Sequence, residues 1–192
     1  MIKKIKINNI NIIEIYIVIM FELDDVNYED TEPFIPPITH GKVIKVYDGD
    51  TITIAAMLPY ENSIIYRFSV RINGIDCPEI RTKDKDEKRC ALMAKNLIIE
   101  KAMDKIVSLE NVQTEKYGRI LADVICDGES LSELLLNARL AIKYDGGTKK
   151  APMNWLKYYT HGEIILNNTP KKIPFYKKIV NNIIFNKNKN KK

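Results

Sequence analysis

Histidine and cysteine are scarce in this chain. The 192 residues include only two histidines, His40 and His161, so mechanisms that need paired imidazoles lack the groups to run them. Three cysteines, Cys77, Cys90 and Cys126, are too few and too widely spaced for a Cys-based zinc site or a disulfide framework. An odd, sparse count fits a reducing compartment, and an intracellular setting is favoured. A P-loop is absent too, because Gly146-Gly147-Thr148-Lys149 lacks the earlier glycine at the required spacing. Long apolar runs are also missing. The longest near the N-terminus, Ile15 to Phe21, is seven residues, far short of the ~20 that a spanning helix needs. Lys3, Lys4 and Lys6 precede it as in a signal peptide, but Glu14 interrupts the approach and no small-residue cleavage site follows. Two readings stay open: a signal or anchor, which would make the protein secreted or membrane-attached, or translation from Met20 with an acidic leader.

What the chain does contain is unevenly distributed. Its hydrophobic content of 45% and charged content of 29% are those of a globular protein. The net charge of +5 conceals a leader of −4 over residues 1–40, a body of +1 over 41–150 and a tail of +8 over 170–192, where eight lysines meet no acid. The expected organisation is a leader and acidic, proline-rich linker (1–40), one folded domain (41–169) and a Lys/Asn-rich tail (170–192) that is mostly disordered. A tail of that kind can add affinity for nucleic acid through counterion release, or serve only as a solubilising or localising end.

Within the domain, Val43–Tyr47 and Thr51–Ile54 are β-rich runs flanking Asp48-Gly49-Asp50, which reads as a tight turn with Gly49 supplying a positive φ. Ile64–Ile72 is a third strand. Cys90, Ala91, Ala94, Leu97, Ile98 and Ala102 recur at helical spacing inside 86–103. Strands follow at 106–112 and 120–126, then a helix from Ser130 to Asn137 with Ser130 and Glu133 spaced as a capping box. A weaker third helix is expected from Pro152 through Ile165. Three strands, a helix, two strands and a helix suit an α+β fold: a five-stranded OB-type barrel with two to three helices, an extended leader and a basic tail.

Acids and arginines punctuate the strand ends. Asp48 and Asp50 sit in the first turn, Arg71 in the third strand, Asp76-Cys77-Pro78-Glu79 directly after it, and Arg119 at the opening of the fifth. Each alone is most simply a solvated turn residue. Together they suit phosphodiester chemistry without histidine. Asp50 and Asp76 offer hard oxygen ligands for a divalent cation. Arg71 and Arg119 can grip phosphate oxygens bidentately and stabilise the charge of a five-coordinate transition state. Glu79 can orient or deprotonate an attacking water.

Over roughly residues 42–150 the chain resembles the staphylococcal nuclease (thermonuclease, micrococcal nuclease) family. The resemblance rests on Asp48-Gly49-Asp50-Thr51, Val70-Arg71-Ile72-Asn73-Gly74-Ile75-Asp76-Cys77-Pro78-Glu79 and Lys116-Tyr117-Gly118-Arg119, three motifs in the family's order. It implies an OB-fold nuclease that uses Ca²⁺ to cleave DNA and RNA, preferring single strands. It also implies Asp50, Asp76 and the backbone carbonyl of Cys77 as metal ligands, with Asp48 behind them. Glu79 takes the general-base position, and Arg71 and Arg119 those of the phosphate-binding arginines. Lys116 and Tyr117 fall near the nucleotide phosphate, and Tyr144 matches a base-contacting tyrosine. A monomer with no stable protein partner is expected. Cys77 stands where the family commonly has threonine, which leaves a carbonyl ligand intact but raises the question of thiol reactivity.

The segment from Ile54 to Arg71 looks longer than in the type enzyme, so Met57, Leu58 and Tyr60 either touch substrate or, the favoured reading, fold over the barrel. Tyr144-Asp145-Gly146-Gly147-Thr148-Lys149 reads as a surface loop beside the site, with Lys149 offered as a phosphate contact. The alternative to an enzyme is a non-catalytic OB-fold binding module, as in the nuclease-like repeats of Tudor-containing proteins. Both acids, both arginines and the glutamate are present here, and the body lacks a basic groove with clustered aromatics, so the enzyme is favoured.

Overall fold

The structure, a computed structural model, describes residues 23–115 and 118–162. The apolar N-terminal run, Lys116, Tyr117, the far end of the expected third helix and the basic tail lie outside the described residues. Contacts divide the chain between Pro36 and Pro37. In the first unit residues 23–35 are exposed throughout, the apolar Leu23, Val26, Tyr28, Phe34 and Ile35 among the acids included. It contains a 3-10 turn at Tyr28–Asp30, where Asp30 Oδ2 accepts a hydrogen bond from Asn27 N at 2.9 Å.

In the second unit, β1 (His40–Asp48), β2 (Thr51–Met57) and β3 (Ile65–Ile72) form an antiparallel meander. After the short β4 (Ile75–Asp76) comes helix α1 (Lys85–Ala102), then β5 (Ile106–Thr114), β6 (Ile120–Cys126) and the short β7 (Glu129–Ser130). Helix α2 (Leu131–Asn137), β8 (Ile142–Lys143) and helix α3 (Trp155–His161) complete the order. The main sheet runs β3-β2-β1-β5-β6-β7, and β3 pairs again with β6 in parallel, so the five long strands close into a barrel. This is the expected OB-type α+β architecture.

Alternation fills the barrel. In β6, Ile120, Ala122, Val124 and Cys126 point inward while the residues between them are half-buried. Ile52, Ile54, Val70, Ile72 and Val107 meet them, each fully buried. Helix α1 covers one opening with a stripe of Cys90, Ala91, Ala94, Ile98 and Ala102. Asp84 caps this helix, its Oδ1 accepting from Asp86 N at 2.8 Å and Glu87 N at 3.1 Å. Ser130 Oγ accepts from Glu133 N to start α2.

Three expectations change. Helix α3 starts later than Pro152, where Asn154 Oδ1 accepts from Lys157 N at 2.8 Å, and closes at Gly162, whose φ of 76° is left-handed. The segment after Ile54 is a longer hairpin rather than a loop, because β2 continues to Met57. Met57 and Tyr60 stand exposed toward its tip while Leu58 packs on the core. Finally, Gly49 has no positive φ. A Cβ there would lie 2.7 Å from Ala94 Cβ and 2.9 Å from Cys77 Sγ, so the turn needs glycine for close approach to α1. Gly49→Ala should therefore cost about 1–3 kcal/mol through overpacking. Urea denaturation should also show Gly49→Ala and Ala94→Gly to be coupled, with the double variant less destabilised than the two single losses added.

Candidate active site

Strand register does the positioning. Thr51 lies opposite Arg71, and Ile72 N donates to Asp50 O at 2.8 Å, which sets the first turn against the end of β3. Gly74, at φ 78°, reverses the chain after β3. The short β4 is then held by β8, with Asp76 opposite Ile142. Asp50 and Asp76 thereby reach Arg71 from two separate segments. A strand arginine ordinarily faces water, but Arg71 exposes only 12% of its side chain. Its Nη1 donates to Asp50 Oδ2 at 2.7 Å, and its Nη2 to Ile75 O at 3.1 Å and to Asp76 Oδ1 at 3.5 Å. Burial pulls its pKa down most strongly, but the charges of Asp50, Asp76 and Glu115 and the bond to Asp50 outweigh that and leave it above the ordinary arginine value.

Asp48, Asp50, Arg71, Cys77, Glu79 and Arg119, six of the residues singled out in the sequence, line one polar hollow of about 140 Å³ with Thr51 and Pro78. A larger hollow of about 970 Å³ shares Arg71 as a wall and includes Tyr144. The Arg71 guanidinium lies 5.8 Å from the Tyr144 ring centre, and the phenol donates to Gly147 O at 3.1 Å. Met57, Leu58 and Tyr60 line neither hollow. Of the expected substrate contacts, Lys116 and Tyr117 lie outside the described residues.

Arg119 depends on a residue the sequence reading passed over. Glu115 takes its Nε at 2.7 Å and Nη2 at 3.0 Å, while Nη1 approaches Thr51 Oγ1 at 3.5 Å. The signal was present as an acid four positions before the arginine, across the turn that Gly118 makes at φ 76°. Lys149 is also placed differently from expectation. Its Nζ lies 2.9 Å from Asp76 Oδ2 and 3.0 Å from Glu79 Oε1, so it meets carboxylates rather than an open phosphate position. The thiol question closes as well. Cys77 is buried and burial drives its pKa well above the ordinary thiol value, so it is a packing residue.

The carboxylate pair fits a hard cation. Asp50 Oδ2 also receives Cys77 N at 3.4 Å, so the Cys77 peptide borders the pair. Asp76 Oδ2 is fully buried yet has no partner in hydrogen-bond geometry; the Lys149 ammonium touches it as a charge, off the bonding angle. A buried carboxylate oxygen without a directed donor relies on a neighbouring positive charge, which Lys149 supplies here and a hard cation can also supply. Among the described residues no three Asp, Glu, His or Cys side chains are placed to hold one metal ion together, so two aspartates and a backbone carbonyl would be the protein's share of a coordination shell completed by water.

Electrostatics place a cost on that arrangement. Burial raises the Asp76 pKa, with Lys149 opposing, and burial plus the charges of Asp50 and Glu79 raises that of Asp48. A carboxyl raised in the folded state binds its proton more tightly there than in the unfolded chain. Stability from these groups is therefore highest at acid pH and falls as pH climbs from the ordinary carboxylate pKa through the raised ones. Asp76→Asn cannot ionise, so it should melt at higher temperature than wild type at neutral pH in EDTA, with the gap narrowing on acidification.

Comparison with known proteins agrees with the fold. Residues 69–158 match the family described as Staphylococcal nuclease homologue. An "Uncharacterized endonuclease" of Escherichia coli is 32% identical over 108 residues, 55% of this chain and 61% of that protein. The "Staphylococcal-like nuclease CAN1" of Arabidopsis thaliana is 27% identical over 99 residues, 50% of this chain and 29% of that one. An "Uncharacterized 38.1 kDa protein" of Capnoides sempervirens is 26% identical over 94 residues, 49% and 26% of the two chains. The chain thus spans less than two thirds of these relatives' length. The matched segment holds Arg71, Asp76, Glu79 and Arg119, and the turn between β1 and β2 adds Asp48 and Asp50 from outside it. Over residues 69–158, just under half of its length, the chain is similar to the staphylococcal nuclease homologue family.

Proposed function

We propose that the protein is a Ca²⁺-dependent nuclease that hydrolyses phosphodiester bonds of DNA and RNA, preferring single strands. The observation that carries this reading is the convergence of Asp50, Arg71, Glu79 and Arg119 on one polar hollow, with Asp76 joined to it through Arg71. Asp50, Asp76 and the Cys77 carbonyl would hold the cation, which when bound polarises the phosphoryl oxygen. Arg71 and Arg119 line the hollow with fixed guanidinium forks suited to the equatorial oxygens of an in-line transition state. Glu79, at the exposed rim, has the reach to orient a water and take its proton once clear of Lys149. Asp48 adds a carboxylate to the hollow beside Asp50, where burial and the charges of Asp50 and Glu79 raise its pKa.

The larger hollow beside Arg71 and Tyr144 suits one unstacked base, because a ring can stack on a tyrosine face while its phosphate meets the arginine. A paired base offers no such free face, which is the physical ground for single-strand preference. The basic tail and Lys116–Tyr117 would add backbone contacts. The reading is of a monomer.

Digestion of single-stranded DNA and RNA with Ca²⁺ and with EDTA tests the reading. Cleavage should require Ca²⁺ and should exceed that of duplex DNA. Cleavage that persists in EDTA overturns the metal role. Binding without cleavage under either condition would favour the non-catalytic module.

A further inference from the structure

Lys149 is poorly explained by phosphate binding, because its ammonium is already engaged. It contacts Asp76 Oδ2 at 2.9 Å and Glu79 Oε1 at 3.0 Å, bridging one expected metal ligand and the expected base. The Asp76 oxygen it meets is buried and off hydrogen-bond geometry, so a point charge satisfies it where a directed donor does not. The lysine is carried by the segment after β8, whose Asp145 Oδ1 accepts from Gly147 N at 3.0 Å and whose Gly146 stands at φ 86°. This segment also forms the wall of the larger hollow through Tyr144, Gly147 and Lys150.

We propose that Lys149 is an internal stand-in for the divalent cation, holding the Asp76 carboxylate that the ion would share with Asp50 until the ion enters and expels it. This rests on the reading of Asp50 and Asp76 as cation ligands and adds a competitor built into the same chain. Two positive charges cannot share one buried carboxylate oxygen at contact distance without strong repulsion, so ion entry and Lys149 contact exclude each other. Three consequences follow from the geometry. The metal-free site has one of its carboxylate charges offset, one Glu79 oxygen is engaged while no ion is bound, and the Tyr144–Lys150 segment loses its contacts to Asp76 and Glu79 when the ion arrives.

The test uses the full chain and Ca²⁺ alone, without nucleic acid. Calorimetric titration of wild type, Lys149→Gln and Lys149→Arg should show Ca²⁺ binding about tenfold tighter in Lys149→Gln, where no cation has to be displaced, and near wild type in Lys149→Arg, which keeps the charge. In wild type, amine acetylation read by mass spectrometry should show Lys149 protected relative to Lys150, with the protection lost at saturating Ca²⁺. A labelling difference separates expulsion from mere long-range repulsion, which would alter affinity without freeing the amine. Equal affinity in wild type and Lys149→Gln, or labelling indifferent to Ca²⁺, overturns the inference and leaves the metal reading standing. Absence of Ca²⁺ binding in all three proteins overturns the metal reading and this inference with it.

Discussion

Arg119→Ala should lower kcat/KM for single-stranded DNA about 10³-fold, the scale on which a preorganised donor to transition-state charge acts. Glu115 holds two of the guanidinium nitrogens, at 2.7 and 3.0 Å, so the fork does not have to be ordered when substrate arrives. The remaining Nη1 is directed at Thr51 Oγ1 and the hollow, 3.5 Å away. Substrate entering that hollow would replace a long contact to a hydroxyl by a charge-assisted one to phosphate. Arg119→Lys should recover only part of the rate, since an ammonium keeps the charge but cannot make two parallel bonds. Some stability should be lost too, because Arg119 and Glu115 expose only 31% and 21% of their side chains and the variant leaves the Glu115 carboxylate without its partner. A variant that unfolds at the wild-type urea concentration but cleaves at the wild-type rate would remove Arg119 from the reacting phosphate.

The barrel could be read from the sequence because its long strands alternate and its first helix carries an apolar stripe. Ile120 to Cys126 buries every second residue, and Cys90 to Ala102 recurs at helical spacing. The two-residue strands β4, β7 and β8 could not be read that way, since no period is visible in so short a run. Yet β4 and β8 matter most for the site, because their pairing holds Asp76 beside Arg71. Residue types in the site were legible for a similar reason: acids and arginines at strand ends stand out against apolar neighbours. Their partners were not. Arg71 could be assigned to a strand but not to the inside of an ion-pair cluster, which depends on Thr51 lying opposite it in the β2–β3 register. Lys149 is one lysine among many in the sequence, and only the fold after β8 brings it to Asp76 and Glu79. Gly49 shows the limit from the other side. The turn was recognised from composition, but the reason for its glycine is the distance to Ala94, a tertiary fact.

Asp50→Asn should abolish measurable Ca²⁺ uptake and reduce cleavage at least about 10³-fold, because an amide oxygen is a poorer ligand for a hard cation than a carboxylate. Its second effect distinguishes it from simple metal removal. Asp50 is buried, accepts from Arg71 at 2.7 Å and from Cys77 N at 3.4 Å, and binds Thr51 Oγ1 at 3.0 Å. Asparagine preserves the shape but not the charge, and one of its two terminal atoms becomes a donor. Arg71 then keeps only Asp76 and a carbonyl as partners, in a site where it is almost enclosed. Breaking a buried ion pair by neutralising one member costs about 3 kcal/mol or more when the other charge cannot reach water. EDTA treatment of wild type should therefore remove activity without lowering the urea midpoint of the metal-free fold, whereas Asp50→Asn should do both. Undiminished Ca²⁺ uptake by Asp50→Asn would place the cation elsewhere, even if the variant were unstable, because the stability loss follows from Arg71 alone. An unchanged midpoint together with lost uptake would mean that Asp76 suffices to hold Arg71, and that Asp50 is kept in the turn for the cation.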